Sequence, residues 1–162
     1  QVAAQTHLRT PPAGHATAEG EAEEAACNAT TAEAAARAVG VKVAQIVKSL
    51  IFICDRNPVL VMVSGAARAD DEKIRTVTGS SAVKIAKPAV VLDRTGFSVG
   101  GVAPFPLPEV AAALLDHQLL NHRVVWAGAG SERHMVALTP HGLLKLSRAR
   151  LADVTMCAVA SS

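Results

Sequence analysis

Lys48 stands out as a charged side chain in the middle of an apolar stretch, residues 46–54 (IVKSLIFIC). The stretch is rich in β-branched residues and predicts a strand. Alternate side chains of a strand share a face, so Lys48 lies on the same face as Ile46, Leu50 and Phe52. An ammonium group there loses hydration unless it is paired or reaches water at a cleft. Two interpretations stay open: a functional lysine at a cleft, or one whose amine extends past the strand into solvent.

The segment 95–108 (TGFSVGGVAPFPLP) is the second feature that could take part in chemistry. It contains three glycines, three prolines and no charged residue, which favours a structured loop. The pair Gly100-Gly101 allows close backbone approach and leaves N–H groups able to bind a carbonyl oxygen or an anion. The alternative is a rigid turn with no ligand, and the segment matches neither a dinucleotide-binding nor a P-loop fingerprint.

Two weaker candidates lie at strand ends. Ser64-Gly65 follows an apolar strand and either faces a cleft or simply ends the strand. His134 follows Gly-Ser-Glu-Arg at the start of another predicted strand, where a single histidine is either structural or functional. Ser49 and Ser64 have no obvious partner base, so no serine-nucleophile arrangement is predicted.

Cysteine and histidine spacing gives no sign of a metal or a disulfide framework. Cys27, Cys54 and Cys157 form no CxxC pair, and their number is odd. The six histidines show no HxxxH or HExxH spacing. We therefore expect no metal and no cofactor, and the cytoplasm is the expected compartment.

Charge and composition narrow the possible partners. Residues 39–162 carry fourteen basic and nine acidic residues, an excess of five positive charges, which suits a polyanion contacted at a few phosphates but also fits ordinary solubility. Only four aromatic rings occur in 162 residues, too few for a platform of stacked bases. No uncharged apolar run reaches the roughly 18 residues that span a bilayer. We expect neither DNA nor a membrane as a partner.

The positions of helices and strands follow from caps, periodicity and turn residues. A capping box at Thr30–Glu33 and a glycine at Gly40 bound the first helix. Residues 109–120 are expected to be helical or mixed. The other predicted elements are strands at 46–54, 59–64, 82–86, 123–127, 134–138 and near 152–155, and helices at 69–77, 88–93 and 140–147.

This order predicts an α+β domain with a mixed, largely antiparallel sheet of six or more strands flanked by helices. The strands at 46–54 and 59–64 are apolar on both faces, which places them in the middle of a covered sheet. Residues 1–29 are expected to form an N-terminal arm or a weakly marked edge segment, and residues 30–162 a single domain.

Several motifs in this order resemble the YbaK/ProX family of aminoacyl-tRNA deacylases, which is similar to the editing domain inserted in bacterial prolyl-tRNA synthetases. The resemblance covers about residues 30–155, and its most specific parts are the strand around Lys48 and the GGVAPF loop. The matching segments are TAEAA before Gly40-Val41, QIVKSLIF at 45–52, PVLVMVSG at 58–65, GFSVGGVAPF at 96–105, GSERH at 130–134 and a closing LLKL helix.

The resemblance implies the editing-domain fold and hydrolysis of the ester between a wrong, small amino acid and the 3′-terminal adenosine of tRNA, most often tRNA(Pro). The partners it implies are the aminoacylated tRNA 3′ end and prolyl-tRNA synthetase. Lys48 matches the family's essential lysine. The expected catalytic residues are Lys48 and Gly101, and the expected substrate-binding residues are Ser49, Ser64, Gly65, Gly100, Val102, Pro104 and His134.

Two alternatives to the enzyme remain. One is a module of the same fold that binds tRNA or a synthetase without turnover. The other is a hydrolase or sensor of small aminoacyl compounds that needs no tRNA.

Overall fold

The computed structural model describes residues 23–26 as backbone, and residues 31–131 and 134–156 in full. Eight strands and four α-helices follow one another in this part of the chain. Their bounds are β1 Glu23–Ala26, α1 Ala32–Val39, β2 Val47–Cys54, β3 Asn57–Ser64, α2 Asp71–Thr78, β4 Val83–Ile85, α3 Pro88–Thr95, β5 Ala112–Asp116, β6 Val125–Gly128, β7 His134–Leu138, α4 Pro140–Ser147 and β8 Arg150–Ala152.

The described strands form two sheets. Five strands are ordered β4-β2-β3-β5-β8, and three are ordered β1-β7-β6. β2 pairs antiparallel with β3 and β4, whereas the β3–β5 and β5–β8 pairs are parallel. One parallel bridge between Ile46 and Trp126 links the sheets. The α+β fold class with a mixed sheet is confirmed, and its strands are divided between two connected sheets.

The β2–β3 hairpin forms the centre of the larger sheet, as the sequence predicts. Asp55 and Arg56 both have positive φ, which matches the tight turn that joins twisted antiparallel strands. The strand after the turn begins at Asn57, two residues before the predicted start. Met62 and Leu60 are fully buried in the core on one face, and Val61 in the core on the other.

α1 is capped at Thr31, one residue after the predicted Thr30, which lies outside the described residues, and the helix ends at the predicted Gly40. The Thr31 hydroxyl accepts a hydrogen bond from the Ala34 N–H at 3.1 Å, and Gly40 ends α1 in the left-handed region. The N-cap of α2 is Asp70, whose carboxylate accepts from the N–H groups of Glu72 and Lys73. These caps fix where each helix enters and leaves the sheet layer.

The expectation for residues 109–120 is wrong in its main element. This segment contains the strand β5 followed by a 3₁₀ turn, His117–Asn121. The run of alanine and leucine favours a helix by local propensity, but parallel pairing with β3 and β8 buries Leu114 and Leu115 completely. Tertiary burial decides the structure here.

The boundary between an arm at 1–29 and a domain from residue 30 stays a prediction. Residues 1–22 and 27–30 lie outside the described residues. The four residues of β1 pair antiparallel with β7.

Candidate active site at the open edge of β2

The candidate site lies where β2 lacks a second neighbouring strand. β3 pairs with β2 along all eight residues, but β4 pairs only with 52–54. At the other end of β2, contact with the second sheet is the Ile46–Trp126 bridge. Between these points, residues 47–50 have no paired strand on their second side among the described residues. A strand edge left open inside a domain exposes backbone groups and creates room for a ligand.

A pocket of about 230 Å³ occupies this gap, and we call it the β2-edge pocket. Four parts of the chain surround it: the start of α1, the first half of β2, the glycine-rich loop, and the ends of β6 and β7. The lining is mainly small and apolar. Its residues are Thr31, Ala32, Ala35, Ile46, Val47, Lys48, Ser49, Leu50, Val99, Gly100, Val102, Gly128 and Met135.

Lys48 is the charged residue in this lining. Its Nζ donates a hydrogen bond to the Ala67 carbonyl oxygen at 2.5 Å, which holds the amine against the bend that follows β3. Burial lowers the pKa of Lys48 below its ordinary 10.5, Glu33 opposes this shift and Arg68 adds to it. An ammonium has three N–H donors, so the bond to Ala67 leaves donors for a ligand.

The glycine-rich loop reaches the pocket through Val99, Gly100 and Val102. Gly100 has a φ of 88°, a conformation that favours glycine. The loop lies directly against Gly128 of β6, where an added Cβ would be 3.2 Å from the Gly100 oxygen and 3.3 Å from the Val102 oxygen. A glycine in β6 therefore lets the loop backbone approach the sheet and close this side of the pocket.

Gly101 lies between Gly100 and Val102 but is not part of the pocket lining. Its N–H donates to the Ser98 oxygen at 2.9 Å, within the loop. That donor is already used in this conformation, so its use by an oxyanion would require the loop to change. The catalytic role expected for Gly101 stays a prediction.

Ser49 lines the pocket next to Lys48. Its Oγ is buried and has no hydrogen-bond partner among the described residues. An unpaired buried hydroxyl costs stability, and water or a ligand reaches this one only if the pocket wall moves, because the atom has almost no exposed surface.

Ser64 and Gly65 lie outside the pocket lining and contact the segment that precedes β2. The Ser64 hydroxyl donates to the Ala44 oxygen at 2.8 Å and accepts from the Ala66 N–H at 3.3 Å. At Gly65 an added Cβ would lie 2.6 Å from the Val43 oxygen. This geometry favours the interpretation that both residues end β3 and pack the segment before β2, and their role in substrate binding stays a prediction.

Pro104 and His134 also lie outside the lining. Pro104 is buried in the loop. The Nδ1 atom of His134 is 2.6 Å from the Ser131 hydroxyl, so the start of β7 is tied to the turn before it. Of the nine predicted site residues, the pocket brings together four: Lys48, Ser49, Gly100 and Val102.

Sequence reasoning missed the residues that α1, β6 and β7 contribute. Ala32 and Ala35 lie three positions apart on α1, a spacing that places them on one helix face. Met135 and Gly128 come from adjacent strands of the smaller sheet. None of these residue types indicates a ligand by itself, and the helical spacing of two alanines is the one usable signal.

One group of possible metal ligands occurs among the described residues. Side-chain atoms of Asp116, His117 and Asp153 lie within 4.8 Å of one another. Asp116 already accepts from the Val154 N–H at 3.0 Å, and Asp153 forms an ion pair with Lys73 at 3.1 Å. Both carboxylates are used within the fold and none of the three lines the β2-edge pocket, so we assign no metal to this group.

The helices of the described part of the chain are all too short to cross a bilayer as an apolar span.

Comparison with known proteins places this chain in a family. The model of the aminoacyl-tRNA editing domain matches residues 27–146. The uncharacterized protein YwhH of Bacillus subtilis (strain 168) is 34% identical over 130 residues, which are 80% of this chain and 82% of that protein. The crystal structure of a proposed trans-editing enzyme for prolyl-tRNA synthetase superposes on this chain with a TM-score of 0.77. The two sequences are 38% identical, and the superposition covers 84% of this chain and 87% of that one.

A further relative is the proline–tRNA ligase of Lysinibacillus sphaericus (strain C3-41), 31% identical over 101 residues. The match covers 62% of this chain but only 18% of the ligase. The chain belongs to the aminoacyl-tRNA editing domain family, and the family predicted from the sequence is confirmed.

Proposed function

We propose that the protein is a trans-editing aminoacyl-tRNA deacylase that removes a small, wrong amino acid from tRNA, with tRNA(Pro) as the expected tRNA. The observation that carries the proposal is the half-buried Lys48 in the lining of an otherwise mainly apolar pocket, in a chain of the editing-domain family. The proposed partners are the aminoacylated tRNA 3′ end and prolyl-tRNA synthetase, and the proposed location is the cytoplasm.

The reaction needs positioning more than a strong base, because an aminoacyl ester is already activated. Water adds to the ester carbonyl, the bond from that carbon to the ribose oxygen breaks, and the proton from water ends on the ribose oxygen. The products are the free amino acid and tRNA. Lys48 would hold phosphate or sugar oxygens of the terminal adenosine, and backbone N–H groups of the loop would face the ester oxygen.

The pocket limits which amino acids are removed. Its volume of about 230 Å³ and its alanine and valine lining suit a small side chain. Selection among small side chains is modest, since one methylene in an apolar pocket changes binding by about 1–3 kcal/mol. We therefore expect alanyl-, cysteinyl-, seryl- and threonyl-tRNA to be the candidates.

The test is a deacylation screen of tRNA(Pro) charged with each of these amino acids, using the wild type, Lys48→Ala and Lys145→Ala. Lys145 is exposed on α4 and serves as the matched lysine control. We expect at least one substrate to be hydrolysed, and Lys48→Ala to lower its kcat/KM by about 100-fold or more. Equal rates for Lys48→Ala and Lys145→Ala would contradict the role of Lys48.

A module that binds tRNA or the synthetase without catalysis is the second candidate. The hydrogen bond that already uses the Gly101 N–H favours it, because this amide is then unavailable to an oxyanion. The same screen separates the two: no hydrolysis of any of the four substrates, with tRNA binding that weakens as salt rises, would support the binding module.

A further inference from the structure

A second cleft adjoins the β2-edge pocket, and we call it the outer cleft. Its volume is about 490 Å³, and it shares Lys48 and Leu50 with the pocket. Phe52 and Ile85 continue its wall along β2 and β4, and Met156 and Arg68 lie on a wall of their own. The two cavities therefore meet at the residue that carries the proposed activity.

The wall with Arg68 and Met156 is held by backbone pairing. The Met156 N–H donates to the Arg68 oxygen at 2.9 Å, and the Asp70 N–H donates to the Val154 oxygen at 2.8 Å. An antiparallel bridge between Ala69 and Thr155 lies between these bonds. The cleft thus has a formed wall of two paired segments.

The sizes of the two cavities differ in a way that matters for the proposed substrate. Sites for drug-sized ligands usually measure about 300–1,000 Å³. The β2-edge pocket, at about 230 Å³, is below that range and suits an amino-acid side chain rather than a nucleoside. The outer cleft is about twice as large and lies within the range. An aminoacyl-adenosine has a small part and a large part joined by one ester, which matches two unequal cavities that meet at Lys48.

The outer cleft also offers apolar surface for a base. Ile85 is 58% exposed and Met156 is 50% exposed, and both line this cleft. Single exposed apolar residues are ordinary on a protein surface, but here two of them share one concave site with Leu50 and Phe52. A base can stack on such side chains, and a methionine sulfur interacts favourably with an aromatic ring.

Charged groups in the outer cleft fit the polar atoms of a nucleotide. Arg68 is exposed and, with Lys48, supplies positive charge for a phosphate. Asp71, at the start of α2, has a carboxylate with no hydrogen bond or ion pair to another described residue, whereas Glu72 pairs with Arg75 at 2.5 Å. A free carboxylate can accept a hydrogen bond from the exocyclic amine of adenine.

We propose that the outer cleft binds the terminal adenosine nucleotide of the tRNA. Adenine stacks on Ile85 and Met156, Arg68 contacts the 5′ phosphate of that nucleotide, and the ester lies over Lys48 with the amino acid in the β2-edge pocket. This inference rests on the proposed function, since it assigns the position of that function's substrate.

A binding measurement tests the inference without relying on catalysis. Methyl resonances of Ile85 and Met156 are followed by NMR while adenosine 5′-monophosphate (AMP) is added, with inorganic phosphate and cytidine 5′-monophosphate (CMP) in parallel titrations. We expect both methyls to shift with AMP at lower concentration than with CMP, and neither to shift with phosphate alone. Shifts with phosphate alone, equal response to CMP, or no response to AMP would overturn the assignment.

Deacylation kinetics of matched variants provide a second test, of the stacking role of Ile85 and Met156. Ile85→Ser/Met156→Ser is compared with Leu92→Ser, which alters an apolar residue that is 53% exposed on α3. We expect the double variant to lower kcat/KM about tenfold for aminoacyl-tRNA and for 3′-aminoacyl-adenosine, and to leave a simple amino-acid ethyl ester unaffected. A double variant that matches Leu92→Ser on all three substrates would overturn the stacking role.

Arg68→Gln, compared with Arg94→Gln, tests the phosphate contact. We expect a loss of about tenfold for aminoacyl-tRNA and no loss for 3′-aminoacyl-adenosine, which lacks the 5′ phosphate. Equal effects on both substrates would contradict that contact. The binding measurement and the kinetics together distinguish failure of the proposed function from failure of this inference. Binding of AMP without any deacylation would refute the proposed function alone. Deacylation without AMP binding, and with variants as active as the wild type, would refute this inference alone.

Discussion

β2 and β3 are partners in one hairpin, equal in length and both mainly apolar, yet they differ in burial. Seven of the eight residues of β3 are buried, whereas β2 is only half-buried at Lys48, Ser49 and Leu50. β3 pairs with β2 along all eight residues and with β5 at 59–62 on its other side. β2 has β3 on one side and, at 47–50, a pocket on the other. The difference indicates that the missing strand neighbour, rather than composition, creates the candidate site.

The largest expected effect is on stability, at Met62 of β3. Met62 is fully buried and lies opposite Ser49 in the register of the hairpin. Met62→Ala should lower the free energy of unfolding by about 2–5 kcal/mol, because it removes buried side-chain volume from a packed core. Urea denaturation measures this loss. A cost below about 1 kcal/mol would show that β3 is no better packed than β2, and the comparison would fail.

The next effect should appear in activity, at Gly128. An alanine Cβ there would press on the Gly100 and Val102 oxygens at 3.2 and 3.3 Å, so the loop must move by a few tenths of an ångström. We expect Gly128→Ala to lower deacylation kcat/KM by roughly five- to tenfold, since catalysis depends on positioning.

Gly79→Ala is the matched control for Gly128→Ala. Its Cβ would contact nothing within 4 Å, but its φ of 67° disfavours alanine. It should therefore lower stability by about 1 kcal/mol and leave activity unchanged. The reverse pattern, with activity lost in Gly79→Ala and kept in Gly128→Ala, would refute the role of the loop contact.

Lys48 should show that the open edge carries a stability cost. Burial lowers the pKa of Lys48 below 10.5 in the folded chain, so the unfolded chain binds more protons between the lowered value and 10.5. Stability of the wild type therefore gains from this group as pH rises through that window. Lys48→Met should unfold at an equal or higher temperature near neutral pH, and its advantage should shrink towards pH 10.5. A Lys48→Met variant that melts below the wild type at neutral pH would contradict this.

The hairpin, and the place of Lys48 within its first strand, could be predicted from the sequence because their signals are local. A charged residue inside a β-branched run is visible without a structure, and so are the paired glycines at Gly100 and Gly101. The same local reasoning fails at β5, where alanine and leucine favour a helix but pairing with β3 and β8 imposes a strand.

The extent of β4 along β2 could not be predicted, although it determines where the pocket lies. The Asp55 carboxylate accepts from the N–H groups of Ser81 and Ala82 at 2.8 and 2.9 Å, which anchors the chain just before β4. Pro88 then begins α3 only three residues after β4 ends. The presence of Ala32 and Ala35 in the pocket lining could not be predicted from residue type either, because a methyl side chain has no group that indicates a ligand.

The smallest expected effect is the most direct test of the comparison, and it uses two serines of the same hairpin. Ser64 of β3 makes two hydrogen bonds, at 2.8 and 3.3 Å, whereas the buried Ser49 hydroxyl of β2 has no partner among the described residues. Ser64→Ala should lower the free energy of unfolding by about 1 kcal/mol. Ser49→Ala should leave it unchanged or raise it by up to about 1 kcal/mol, because it removes an unpaired buried polar group. Thermal unfolding of both variants measures the difference in sign, and a loss at Ser49 as large as at Ser64 would mean that the Ser49 hydroxyl has a hydrogen-bond partner within the fold, so that the contrast between the two strands would fail at this position.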